Sequence, residues 1–202
     1  MPKIVDEQMR EATRQRILRV AAAEFARLGF EQANINAIAE QAGIGKGTIY
    51  LYFENKRTLF VEMLRAIAQV HLQEIRTALS EGGSLRERLK RLFLTFVRLA
   101  EQDSDSFHVF MSALYGVNRL FQQEATALLR EYVVAIARLL EEGQARGEIA
   151  VQELETSALL VLTATESYVL AARVLGSSPA ALARQAEVVA GFILNGLQSP
   201  AT

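Results

Sequence analysis

Cysteine and tryptophan are missing from the 202 residues, and proline occurs three times, at Pro2, Pro179 and Pro200. Without a thiol the chain forms no disulfide, no thiolate metal site and no cysteine nucleophile. Histidine is nearly as scarce. His71 and His108 both fall on apolar helical stripes, and with Glu74 the only carboxylate noted near His71, they read as core or pocket residues rather than metal ligands. No serine, histidine and acid grouping or carboxylate pair stands out by spacing, so no positive sign of an enzyme is present and no cofactor is expected. Charge of either sign is not in excess: 22 Lys and Arg oppose 23 Asp and Glu. The longest uninterrupted apolar run, Ala158 to Thr165, is cut by Glu166 and falls well short of the roughly 20 residues that cross a bilayer. Met1 to Arg16 is strewn with charge and lacks the apolar centre of a secretory signal. The expectation is a soluble, cytoplasmic protein with no membrane partner.

Half of the residues are hydrophobic, enough to bury a sizeable core in one or two small domains. The richness in Ala, Leu, Glu, Arg and Gln points to an all-α fold. Met1 to Arg57 holds nine basic against seven acidic residues and the remainder thirteen against sixteen, a slight basic bias at the N-terminal end.

The informative stretch runs from Asn34 to Lys56. Asn34 is a good N-cap; Ile35, Ile38 and Ala39 share a helical face; Gly43 gives the backbone freedom for a sharp turn. A second short helix follows, with Ile49 and Phe53 facing inward beside Ile44. Its other face carries Lys46, Gly47, Thr48, Tyr50 and Leu51. Tyrosine and leucine beside lysine suit a surface that meets phosphates and base edges. Gly45-Lys46-Gly47 superficially suggests a phosphate-binding loop, but Glu40 stands where that motif needs glycine and Gly47 where it needs Ser or Thr.

With Phe25, Gly29, Phe30, Ile38, Ala39, Ala42-Gly43, Lys46-Gly47-Thr48, Tyr50, Tyr52-Phe53 and Lys56, the run from Thr13 to Phe60 resembles the DNA-binding region of the TetR family of transcriptional regulators. The likeness covers roughly the first quarter to third of the chain. It implies a TetR-like fold of about nine helices: a three-helix helix-turn-helix DNA-binding head over 1–54, then a larger ligand-binding and dimerisation domain over 55–202. It also implies a homodimeric repressor that leaves a palindromic double-stranded DNA operator when a small, mostly apolar effector binds. The implied DNA contacts are Asn34, Asn36, Gly45, Lys46, Gly47, Thr48, Tyr50, Leu51, Tyr52 and Lys56. Gly45 departs from the common pattern, which has a serine or threonine cap there.

Apolar periodicity and caps lay out the remaining helices. They run from Glu11 to a stop at Gly29, about Asn55 to Leu79, Leu85 to about Gln102 behind a Ser84 cap, a short one ending at Gly116, Asn118 to about Ala145, Glu153 to Leu175, and Pro179 to Leu197. Candidate ligand contacts on their apolar stripes are Met63, Ile67, His71, Phe93, Phe96, Phe107, Phe110, Met111, Tyr115, Phe121, Tyr132, Glu166 and Tyr168. The last two helices are apolar on more than one side and therefore need two neighbours. Val161, Thr165, Val169, Ala172, Ala186, Ala190, Ile193 and Leu194 are the expected dimer contacts. Two rival readings use the same features: a helical enzyme or lipid-carrier domain exploiting the apolar interior, and an interaction module binding a protein partner through the last two helices.

Overall fold

Local caps decide where most helices begin, and tertiary packing decides which face turns inward. The computed structural model describes residues 2–115 and 121–197. Among them are nine α-helices, one 3₁₀ turn and no strand: α1 (Pro2–Gln32), α2 (Ile35–Gln41), the 3₁₀ turn (Thr48–Leu51), α3 (Lys56–Ser80), α4 (Leu85–Gln102), α5 (Ser104–Tyr115), α6 (Gln122–Ala145), α7 (Leu154–Val174), α8 (Pro179–Arg184) and α9 (Ala186–Gly196).

Two compact units emerge, one of Met1–Gln69 with Ser104–Ala125, the other of Val70–Asp103 with Thr126–Thr202. Packing therefore does not cut at residue 54. It gives the head's unit the first part of α3, all of α5 and the start of α6, and α3 contributes residues to both units.

In the first unit α1 packs on α5 and α2. Gly29 adopts φ 73° and ψ 170°, so the helical path breaks there as its sequence position suggested. The helix begins at Pro2 rather than at Glu11. Phe30 then closes back onto a ring cluster, with centroids 5.2 Å from Phe60 and 4.7 Å from Phe121.

The second unit is built on α4, which receives α9, α7 and α8. Its start carries a complete capping box: the Ser84 side chain accepts from the Glu87 N–H, and the Glu87 carboxylate accepts from the Ser84 N–H. Gly143 lies inside α6, near its end. A Cβ there would lie 2.8 Å from Leu85 Cδ2, so the glycine lets α4 approach α6 closely. The turn is made by Gly147, at φ 72°. The expected final helix divides at Gln185 into α8 and α9, with Ser178 capping and Pro179 in the first turn of α8. The expected start of α6 at Asn118 lies outside the described residues.

Taken as a whole helix, α7 is long and apolar enough to cross a membrane by length and composition. Thr165 and Glu166 at its middle are buried within the second unit. The uninterrupted apolar run is shorter than the helix that contains it.

Candidate nucleic-acid interface

The head is held by a miniature core in which Ile38, Ala39, Ala42, Ile49 and Phe53 are all nearly inaccessible. Asn34 caps α2 as expected, its Oδ1 accepting from the Asn36 N–H at 2.9 Å. At the turn Gly43 takes φ 66°, a conformation that costs any side-chain-bearing residue about 1 kcal/mol or more. The Ile44 N–H bonds back to the Ala39 carbonyl at 3.0 Å and closes the corner.

The second element of the motif is a single 3₁₀ turn of four residues rather than an α-helix. Gly47 occupies its N-cap with no side-chain hydrogen bond. Gly45 contributes only a carbonyl, accepting from the Thr48 N–H at 2.8 Å. Serine or threonine in the cap would tie this end more firmly; here backbone alone holds it.

With Ile49 inward, Tyr50 is 48% and Leu51 74% exposed, and Gly45, Lys46 and Gly47 are exposed beside them. Nothing stands within 4 Å of where a Gly47 Cβ would project. Thr48, Tyr52 and Asn36 are half-buried and Asn34 is exposed. The turn thus offers a cation, an amphipathic ring and an isobutyl group to one side, a set able to meet phosphate, base edge and thymine methyl.

Lys56, one of the implied DNA contacts, already has partners within the chain. Its Nζ donates to the carbonyls of Glu31 at 2.9 Å and Ala33 at 3.1 Å, and lies 4.8 Å from the Phe30 ring centroid. Two of its three donors thus fasten α3 to the end of α1, leaving one for another partner. Sequence spacing cannot show this, because the carbonyls come from the end of α1 and the link after it, 25 and 23 residues earlier. Of Arg14, Arg16 and Arg19 on α1, the first pairs with Glu62 and stacks 5.6 Å from the Phe53 centroid, while the other two are exposed.

The candidate ligand contacts fall in both units. Met63, Ile67, Phe107, Phe110, Met111, Tyr115 and Phe121 belong to the first, and His71, Phe93, Phe96, Tyr132, Glu166 and Tyr168 to the second. Tyr115 and Tyr168 are exposed and the others are buried. Phe121 lines a cavity of about 230 Å³ with Phe25, Phe30, Phe60 and His108 in the first unit. His108 is exposed rather than part of an apolar stripe. His71 is buried, and desolvation pushes its pKa down to about 4 against an opposing pull from Asp103. Among the described residues no group of three or more His, Asp or Glu side chains is arranged to hold a metal.

The dimer candidates need correction. Val161, Thr165, Val169, Ala172, Ala186, Ala190 and Ile193 are buried inside the protomer, and Leu194 is half-buried. Side chains already enclosed have no surface to offer a second chain. The outward apolar side chains are Leu159, Leu160, Tyr168 and Val174 on α7, and Val188 and Phe192 on α9, Phe192 being 77% exposed. The Tyr168 hydroxyl bonds Gln185 at 2.6 Å, tying α7 to the junction of α8 and α9.

Residues 17–63 match the family model for bacterial regulatory proteins of the tetR family, and residues 82–170 match the tetracyclin repressor-like C-terminal domain. The chain is 27% identical over 133 residues to a fatty acid metabolism regulator protein of Bacillus subtilis, covering 66% of this chain and 69% of the relative. It is 42% identical over 66 residues, 30% of each chain, to a probable acrEF/envCD operon repressor of Escherichia coli. Among solved structures, the transcriptional regulator FadR from Bacillus subtilis in complex with stearoyl-CoA superposes with a TM-score of 0.81 at 22% identity, over 91% of this chain and 99% of that one. The fatty acid degradation regulator FadR from Bacillus halodurans gives 0.77 at 23% identity, with the same coverage.

Proposed function

From the premise that the chain belongs to the TetR family of transcriptional regulators, DNA-binding proteins and not enzymes, we propose that it is a homodimeric repressor released from a palindromic operator by an apolar effector. The observation that carries this reading is the outward set Lys46, Gly47, Tyr50 and Leu51, raised on a short turn above the enclosed Ile49 and Phe53. One such turn covers little DNA. Two copies related by a two-fold axis double the contact and fit half-sites one helical turn, or a multiple, apart. In this arrangement Lys46, Gly47, Thr48, Tyr50 and Leu51 enter the major groove, and Asn34, Asn36, Gly45, Tyr52 and the remaining donor of Lys56 hold the backbone.

The names of two relatives, a fatty acid metabolism regulator and a regulator crystallised with stearoyl-CoA, favour an acyl chain as effector. Phe93, Phe96, Tyr132 and the neutral His71 supply an apolar interior for it in the second unit. These side chains are already buried, so an incoming chain rearranges their packing. It weakens DNA binding by preferring a conformation in which the two heads no longer match the groove spacing.

Lys46→Ala and Tyr50→Ala should each weaken operator binding at least about tenfold, measured by fluorescence anisotropy, with the sedimentation mass unchanged. Unaltered affinity in both variants would remove the turn from the interface.

A further inference from the structure

Six arginines of the second unit each reach a carboxylate: Arg76, Arg86, Arg88, Arg91, Arg98 and Arg146. Arg184 on α8 makes no ion pair among the described residues, and neither do Arg130 and Arg138. They lie two turns apart on α6, about 12 Å along its axis, and both line a groove of about 500 Å³. This volume lies within the range of small-molecule sites.

Opposite them α3 brings Arg76 and α4 brings Arg88 to the same groove. Arg88 is fixed in place, its Nε donating to the Leu79 carbonyl at 2.8 Å and its Nη1 to Glu142 at 2.6 Å. Glu131, the other carboxylate on the groove, stands 3.8 Å from Arg76. Four guanidinium groups thus face two carboxylates, an excess of two positive charges. Between the cations the lining is apolar, from Val134 and Leu139, and Val134 is left exposed. An ordinary solvated face needs neither two uncompensated cations on one groove nor an apolar lining beside them.

We propose that this groove binds a phosphorylated nucleotide moiety, with anionic groups on Arg130 and Arg138 and the base against Val134. Guanidinium forks match phosphate oxygens, and a flat ring suits the apolar strip between them. Two sources carry this chemistry, a free nucleotide and the head of a coenzyme A thioester. The thioester alternative rests on the acyl-effector reading above.

The test is calorimetric titration of the full-length protein with adenosine 3′,5′-bisphosphate at low salt. Saturable binding is expected, weakened at least about tenfold in the double variant Arg130→Gln with Arg138→Gln. Arg184→Gln removes an exposed charge on α8 away from the groove and should leave binding unchanged. Thermal melting and operator affinity of the double variant should match the parent, which establishes that it folds. Absence of saturation up to several mM, or an equal loss in Arg184→Gln, overturns the proposal.

Stearoyl-CoA and a stearoyl thioester of N-acetylcysteamine then separate the sources. Tighter binding of the former that disappears in the double variant assigns the groove to the thioester head. Equal binding of both, with the bisphosphate still bound, assigns it to a free nucleotide. If the bisphosphate binds but neither thioester releases DNA, the acyl-effector reading fails and the groove stands.

Discussion

Single residues in this chain do work that their neighbours in sequence do not reveal, and His71 gives the plainest case. Burial removes its charged form from water, so the folded protein keeps it neutral down to about pH 4, while the unfolded chain protonates near 6.5. Below pH 6.5 the unfolded state binds the extra proton first. Stability from this group is therefore full above that pH and falls as the pH drops toward 4, by about 2 to 3 kcal/mol in total. Glu124 and Glu148, held below the ordinary carboxylate range with Arg57 hydrogen-bonding Glu124 and the Leu85 amide bonding Glu148, lose their contribution only under more acidic conditions. Unfolding free energy should fall between pH 6.5 and 4.5 in the parent and stay nearly flat in His71→Asn over the same interval. Identical slopes in urea titrations would show that the imidazole is not the group responsible.

At the scale of elements, two glycines of the helix-turn-helix separate folding from recognition. Gly43 sits at φ 66° and makes the corner, whereas Gly47 has φ −76°, with open space where a side chain would go. Gly43→Ala should cost about 1 kcal/mol or more of stability. Gly47→Ala should leave the melting temperature unchanged or slightly raised, yet weaken operator binding, because the added methyl occupies the closest approach to the groove. If Gly47→Ala binds DNA like the parent, close backbone approach is not part of recognition. The motif was readable before the structure because its determinants are local: Asn34, Ala39, Gly43 and Ile49 fix cap, crossing, corner and core within sixteen residues. The internal partners of Lys56 were not legible for the opposite reason, since the carbonyls of Glu31 and Ala33 reach it only through tertiary folding. The 3₁₀ character of Thr48–Leu51 was likewise invisible, as periodicity over four residues cannot tell one helix type from another.

For the whole molecule, periodicity showed that α7 and the last stretch of chain need neighbours on two sides but not which side was already taken. With α7 and α9 packed on α4, Val161, Val169, Ala190 and Ile193 are buried and Leu160, Val188 and Phe192 stay outside. The proposed dimer contact then falls on these outward side chains, which makes it testable. Phe192→Asp should sediment as a monomer with its fold retained, since the side chain is mostly exposed in the protomer. Ile193→Ala, one residue on, should instead lower stability by about 2 to 5 kcal/mol and leave the dimer in place. A dimeric Phe192→Asp would put the interface elsewhere. The all-helical fold and its order of elements were legible from caps and stripes. Division into units was not, because Ser104–Ala125 joins the head's unit through contacts distant in sequence, including the packing of α5 on α1.

The most direct test is a hydroxyl-radical and base-modification footprint on an operator selected from genomic fragments, comparing the parent with Tyr50→Ala. The account predicts two symmetric patches of major-groove protection, centred one helical turn or a multiple apart, both lost in the variant. A single patch, or protection indifferent to Tyr50, would contradict it.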